Sequence, residues 1–153
     1  MRAGFAEFYE SERDGVYRAL ALTLRDPELA ADATNEAMTR ALGHWQKVRG
    51  YDRPAGWVYR VGLNWARSRL RKWRREVSGA DRERAVEPAL PDPDLARAVA
   101  ALPLKQRAVV VLRFYADWPV SDVAKALRVA EGTVKSRLSR ALDQLGRDLG
   151  VER

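Results

Sequence analysis

Cysteine is absent from the 153 residues, and histidine occurs once, as His44. The first absence excludes disulfide frameworks, thiolate zinc sites, iron–sulfur clusters and cysteine nucleophiles. The second excludes a multi-histidine metal centre or a histidine-based triad within one chain. No metal and no other cofactor is expected. Long hydrophobic runs are missing too: no stretch reaches the roughly 18 apolar residues of a membrane span. The opening Met1-Arg-Ala-Gly-Phe-Ala-Glu-Phe8 brings in an acid at once and no apolar run follows, unlike a secretory signal. Glycine (10) and proline (7) punctuate sparsely, and no strand pattern is evident. These absences leave a basic protein, expected in the cytoplasm without membrane insertion, with few routes to catalysis.

What the chain does have is positive charge: 28 Lys and Arg against 21 Asp and Glu, net +7. A nucleic-acid partner is the leading expectation. The charge is also uneven. Residues 1–43 hold 5 basic and 8 acidic residues, and residues 44–75 hold 10 basic residues and only Asp52. Residues 76–93 hold 2 and 5, and residues 94–153 hold 11 and 7. Any one such cluster is also what a solvated surface looks like. An acidic start, a strongly basic middle rich in aromatics, an acidic break and a basic end point to two functional units. The length accommodates one ordinary domain or two small ones.

Apolar spacing predicts an all-helical fold. Phe5, Phe8, Tyr9, Val16, Leu20 and Leu24 mark a first helix. Asp26-Pro27-Glu28 restarts the chain with an aspartate cap, a proline at the first helical position and an acid favoured by the helix dipole. The second helix runs to about His44 with Leu29, Ala33, Ala37, Ala41 and Leu42 inward. Lys47 to Arg53 reads as a loop. Pro54 opens a third helix through Arg75, with Trp57, Val58, Val61 and Trp65 as its apolar stripe. Arg60, Arg67, Arg69, Arg71, Lys72, Arg74 and Arg75 lie on its other faces. Residues 76–93, with three prolines and net negative charge, read as a linker. Asp92-Pro93-Asp94 repeats the capping logic and opens a short helix to Leu102. A helix over 104–116 follows, with Leu104, Val109, Val111, Leu112 and Phe114 inward and Arg107 and Arg113 outside that stripe. Two helices at about 120–127 and 131–148 complete the chain.

The last pair is the most specific local signal, a helix-turn-helix. Val123, Ala124 and Leu127 give its first helix an inward side, Val129 fills the turn, and Val134, Leu138, Leu142 and Leu145 seat the second. Thr133, Lys135, Ser136, Ser139 and Arg140 then project outward, as a helix entering the major groove requires. Arg137 and Lys125 suit phosphate contacts. A helical hairpin packed on another protein is the plainer alternative. Two positions break local rules: Arg128 stands where glycine would be comfortable, and Ala130 where a capping Ser or Thr would add roughly 1 kcal/mol. In the basic middle, single strands would find cations and aromatic faces. Trp45, Tyr51, Trp57, Tyr59, Trp65 and Trp73 all lie there. Trp57 and Trp65 are read as core, leaving Tyr51 in the loop as the better stacking candidate.

These blocks resemble a known family. Gly132-Thr-Val-Lys-Ser-Arg-Leu-Ser-Arg-Ala141, preceded by Leu102-Pro103 and Gln106-Arg-Ala-Val-Val-Val-Leu-Arg113, is similar to the C-terminal domain of bacterial extracytoplasmic-function (ECF) sigma factors of the sigma-70 family. Asp26-Pro-Glu-Leu-Ala-Ala-Asp32-Ala-Thr-Asn35-Glu36-Ala37 resembles that family's polymerase-docking helix. Trp57-Val-Tyr-Arg-Val-Gly-Leu-Asn64, with its arginine-rich continuation, resembles the promoter-melting helix. The resemblance implies an all-α chain of two small domains, residues 1–75 and 94–153, joined by a linker at 76–93.

The resemblance further implies roles. Lys135, Ser136, Ser139 and Arg140 would read a duplex upstream (minus-thirty-five) element, with Thr133, Arg137 and Arg113 on its backbone. The loop at about 46–54 with Tyr51, and the helix with Arg60, Asn64, Arg67 and Arg71, would hold the separated minus-ten element. Asp32, Asn35 and Glu36 would bind the clamp helices of the polymerase largest subunit, and the flap of the second subunit is a further implied partner. An anti-sigma factor is the family's usual control. An acidic helix face suits a basic protein partner; simple i,i+4 surface pairing of Asp32, Glu36 and Arg40 is the alternative. Asn35 and Met38 replace the family's common glutamine and phenylalanine, and Ser68 its aspartate or asparagine. The competing function is a stand-alone helix-turn-helix regulator that binds an operator without polymerase.

Overall fold

An aspartate whose carboxylate caps the helix it precedes, followed by proline, begins two of the helices. Asp26 Oδ1 accepts from the Leu29 N–H at 3.1 Å, and Asp92 Oδ1 accepts from the Asp94 and Leu95 N–H groups at 2.9 and 3.4 Å. Each carboxylate satisfies amide donors that the first helical turn leaves over. The computed structural model describes residues 3–76 and 90–151. Its α-helices are α1 (Phe5–Leu24), α2 (Pro27–Gly43), α3 (Trp45–Val48) and α4 (Pro54–Glu76), then α5 (Pro93–Ala101), α6 (Leu104–Val110), α7 (Val120–Leu127) and α8 (Glu131–Leu149). No strand occurs among the described residues. The chain divides into two compact units, Met1–Val86 and Glu87–Arg153. Most of the expected linker lies outside the described residues; Glu76 ends α4 and Asp92 caps α5.

In the first unit α1, α2 and α4 pack on one another. Alanines 30, 33, 37 and 41 of α2 are fully buried, which lets its neighbours come close. Gly62 marks the nearest approach: a Cβ there would lie 3.2 Å from the Ala33 carbonyl oxygen and 3.0 Å from Leu20 Cδ1. The inward face of α4 is Ala55, Val58, Tyr59, Gly62, Leu63 and Ala66. This corrects the expected stripe, because Trp57, Val61 and Trp65 are only half-buried. Where α4 meets Leu20, Ala33 and Ala37 it carries Gly62, and there is no room there for a large ring. Tyr59 is fully enclosed and its hydroxyl lies 2.7 Å from Thr23 Oγ1.

The expected loop is also shorter, since Lys47 and Val48 belong to the single turn of α3. That turn is held by Trp45, whose ring meets Phe5 edge-on at 5.4 Å and Phe8 at 5.0 Å. Its indole N–H donates to the Ala3 carbonyl at 2.8 Å.

In the second unit, Arg107 is buried and donates from Nη1 to the carbonyls of Ala100 and Leu102, at 2.8 and 3.0 Å. It thereby satisfies acceptors at the C-terminal end of α5. The helix expected over 104–116 changes character at Val111, where one turn becomes π-helical to Tyr115. The extra residue shifts the register. Phe114, expected inside, is 53% exposed. Val123, Ala124, Val134, Leu138 and Leu145 are buried, and Leu127, Val129 and Leu142 half-buried, around the helix-turn-helix. Arg128 takes the left-handed conformation, φ 56°, that the sequence marked as suited to glycine.

Candidate nucleic-acid interface

Helical geometry sorts the surface of α4 into stripes. Arg60, Asn64, Arg67 and Arg71 are spaced by four, three and four residues, so they fall on one line along the helix, about 16 Å long at 1.5 Å per residue. That line runs opposite the buried face carrying Val58 and Gly62. Asn64 and Arg71 are exposed, and Arg60 and Arg67 half-exposed. Arg67 and Arg71 make no ion pair among the described residues, so their charge is not neutralised there. A backbone of phosphates supplies what such a row lacks. Tyr51 stands in the turn before α4, 38% exposed. It follows the Gly50 N–H bond to the Lys47 carbonyl and itself donates to Val48. The buried Trp45 and Val48 anchor that turn from beneath.

Two aromatics offered by the sequence are withdrawn from this surface. Tyr59 and Trp45 are buried, so neither ring is open to a base. Trp57 moves the other way. It lies three residues before Arg60, on the same line, and its half-buried ring is 6.2 Å from that of His44. The signal was present as the 57, 60, 64 spacing, but ring size argued for the core.

On α8 the exposed positions are Glu131, Gly132, Lys135, Ser136, Ser139 and Arg140 in the first turns, with Thr133 and Arg137 half-exposed beside them. Lys135, Ser136, Ser139 and Arg140 therefore share a face, which Val134, Leu138 and Ala141 seat from behind. The Ser136 hydroxyl donates to the Thr133 carbonyl at 3.2 Å. Lys135, Arg137 and Arg140 make no ion pair among the described residues. Ala130 gives no side-chain cap to α8. Arg113, on the π-helical turn, is half-exposed; its Nη1 lies 3.7 Å from Asp117 Oδ1 and its guanidinium 5.4 Å over the Phe114 ring. It sits apart from the α8 stripe in sequence and already has local contacts.

The acidic candidates form a third surface. Asp32, Asn35 and Glu36 occupy one face of α2, away from buried Ala30, Ala33 and Ala37. Glu36 Oε1 pairs with Arg40 Nε at 3.1 Å, so the i,i+4 pairing weighed from the sequence exists for these two. Both side chains are substantially exposed, and such a pair contributes only about 0.3–0.5 kcal/mol. It is weak enough to be exchanged for another partner. Asp32 has no ion pair among the described residues.

Profiles of known families cover both units: Sigma-70 region 2 matches residues 8–76 and Sigma-70, region 4, matches residues 93–145. ECF RNA polymerase sigma factor SigM of Mycobacterium tuberculosis is 34% identical across 97% of this chain and 79% of its own length. The chain belongs to the ECF sigma factors of the sigma-70 family. RNA polymerase sigma-E factor of Streptomyces coelicolor is 30% identical over 95% of this sigma factor and 85% of its own length. Among solved structures, sigma factor RpoE, co-crystallised with the anti-sigma factor NepR from Bartonella quintana, superposes with a TM-score of 0.85. It is 24% identical, with 97% of this chain and 98% of that one covered, and shows the shared fold. As a sigma factor the chain acts in transcription initiation. No helix among the described residues is long and apolar enough to cross a membrane.

Proposed function

We propose that the sigma factor divides its work among three surfaces of distinct charge. Asp32, Asn35 and Glu36 of α2 dock on the clamp helices of core RNA polymerase. Tyr51 and the Arg60–Asn64–Arg67–Arg71 stripe of α4 hold the separated minus-ten strand, Tyr51 by stacking and the stripe along the phosphates. Lys135, Ser136, Ser139 and Arg140 read the edges of the upstream duplex, with Thr133, Arg137 and Arg113 on its backbone. Residues 1–75 and 94–153 are then separate binding domains, with 76–93 joining them. The protein contributes specificity and leaves catalysis to polymerase, in the cytoplasm where polymerase works.

The observation that carries this reading is segregation. Acids gather on the exposed face of α2, whereas cations line the outer faces of α4 and α8. An acidic face would repel DNA, so a stand-alone operator-binding protein has no use for it.

Two double variants separate the roles. Lys135→Ala with Arg140→Ala should weaken use of the upstream element, by about 1–3 kcal/mol for each base edge no longer read, and leave core binding intact. Asp32→Lys with Glu36→Lys should do the reverse. Equal loss of both activities in either variant would refute the division.

A further inference from the structure

Between α2 and α4 runs an open groove of about 340 Å³, lined by Asp32, Asn35, Glu36 and Thr39 on one side and by Trp65 and Arg69 on the other. The two α4 residues belong to neither surface described above. At 100° per residue they lie roughly 130° and 170° round α4 from the middle of the Arg60–Arg71 stripe, both to one side of Gly62, where α4 meets Ala33. Trp65 is half-buried, so its indole keeps one part in contact with the fold and one part open. The Arg69 guanidinium is held 5.1 Å from the centre of that ring. The Thr39 hydroxyl donates back to the Asn35 carbonyl at 2.8 Å and is left as an acceptor.

The lining describes its occupant. Residues 32, 35, 36 and 39 repeat once per turn over about 10 Å of α2, a period that another helix packed alongside would match. Two carboxylates, an amide and a hydroxyl acceptor select a positive side chain. The indole face attracts cations as well, and Arg69 demonstrates that it accepts one. Glu36 keeps its pair with Arg40, which lies outside the lining; Arg69 is the chain's own cation within the lining, held over Trp65 in the position a partner's cation would take.

We propose that the polymerase-docking surface extends across this groove to Trp65 and Arg69, that it receives a lysine or arginine from a helix of core polymerase, and that Arg69 is the resident cation which the incoming one displaces. The incoming charge rests against Asp32 and Glu36, and its aliphatic stem lies on Trp65. Docking then grips α4 as well as α2, on a face distinct from the one offered to DNA. The inference rests on the reading of α2 as the docking helix.

The test is the affinity of the full-length protein for core polymerase, measured by competition against the labelled wild-type chain. Removing the resident cation and removing its seat have opposite expected signs. Arg69→Ala should bind core about threefold tighter, and Trp65→Leu about threefold weaker, as removal of one exposed cation–π interaction implies. Arg69→Ala that binds as wild type, or more weakly, overturns the proposal; weaker binding would mean that the groove receives an acid. If Trp65→Leu does not fold, as judged by circular dichroism, the sign for Arg69→Ala decides alone. Asp32→Lys with Glu36→Lys is the control for the underlying reading. If core affinity survives that reversal, α2 is not the docking helix. If it falls while both α4 variants match wild type, the groove alone is wrong.

Discussion

Replacing Tyr59 by phenylalanine takes one oxygen out of the first unit, at the point where α4 is fastened to α1. Thr23 Oγ1 donates its single proton to the Ala19 carbonyl at 2.8 Å, so in the 2.7 Å contact between the hydroxyls Tyr59 is the donor and Thr23 the acceptor. Phenylalanine fills the same space and loses that bond. A neutral buried hydrogen bond contributes about 0.5–1.5 kcal/mol net. Thr23→Val is the harsher change, because it removes the bond to Ala19 as well as the one to Tyr59, for about 1–3 kcal/mol.

The double variant should be less damaging than the sum of the two, with a coupling of about 1 kcal/mol, because both changes remove the same bond between the hydroxyls. For a unit of this size 1 kcal/mol corresponds to roughly 4–8 °C in Tm. Tryptophan fluorescence follows the relevant transition, since four of the five tryptophans lie before residue 76. A Tyr59→Phe protein with unchanged Tm, or additive losses in the double variant, would refute a stabilising bond between the two hydroxyls.

Three further outcomes follow from particular residues. Ala130→Ser supplies the cap that α8 lacks and should stabilise the second unit by about 1 kcal/mol, read as a raised Tm on circular dichroism melts. Tyr51→Ala should cost holoenzyme about 1–3 kcal/mol in affinity for a single-stranded minus-ten oligonucleotide, with duplex upstream binding unchanged; an equal loss on both probes would place Tyr51 elsewhere. Arg67→Ala with Arg71→Ala should flatten the salt dependence of single-strand binding, by about 0.7 in logarithmic slope for each phosphate no longer neutralised, whereas an unchanged slope would show that the stripe faces no backbone.

Local chemistry made much of this legible before any coordinates. Aspartate–proline pairs at 26–27 and 92–93 announced helix starts because a cap and a fixed φ act within a single turn. The helix-turn-helix was readable because its seated valines and leucines recur at 3.6-residue spacing, and the outward Lys135, Ser136, Ser139 and Arg140 followed from it. The face of α4 was not. Ring size made Trp57 and Trp65 the natural core residues, but what decides the packed side is where α2 passes, and Gly62 is small enough to admit it. Likewise α3 depends on Trp45 finding Phe5 and Phe8, about 40 residues earlier in the chain, and Phe114 turns outward through one π-helical turn that no local pattern marks.

The most direct test of the account is transcription by the reconstituted holoenzyme. Core RNA polymerase mixed with this sigma factor and a genomic fragment pool should start transcripts at a defined promoter set that core alone ignores, as sequenced transcript ends would show. Starts indistinguishable from those of core alone would contradict it.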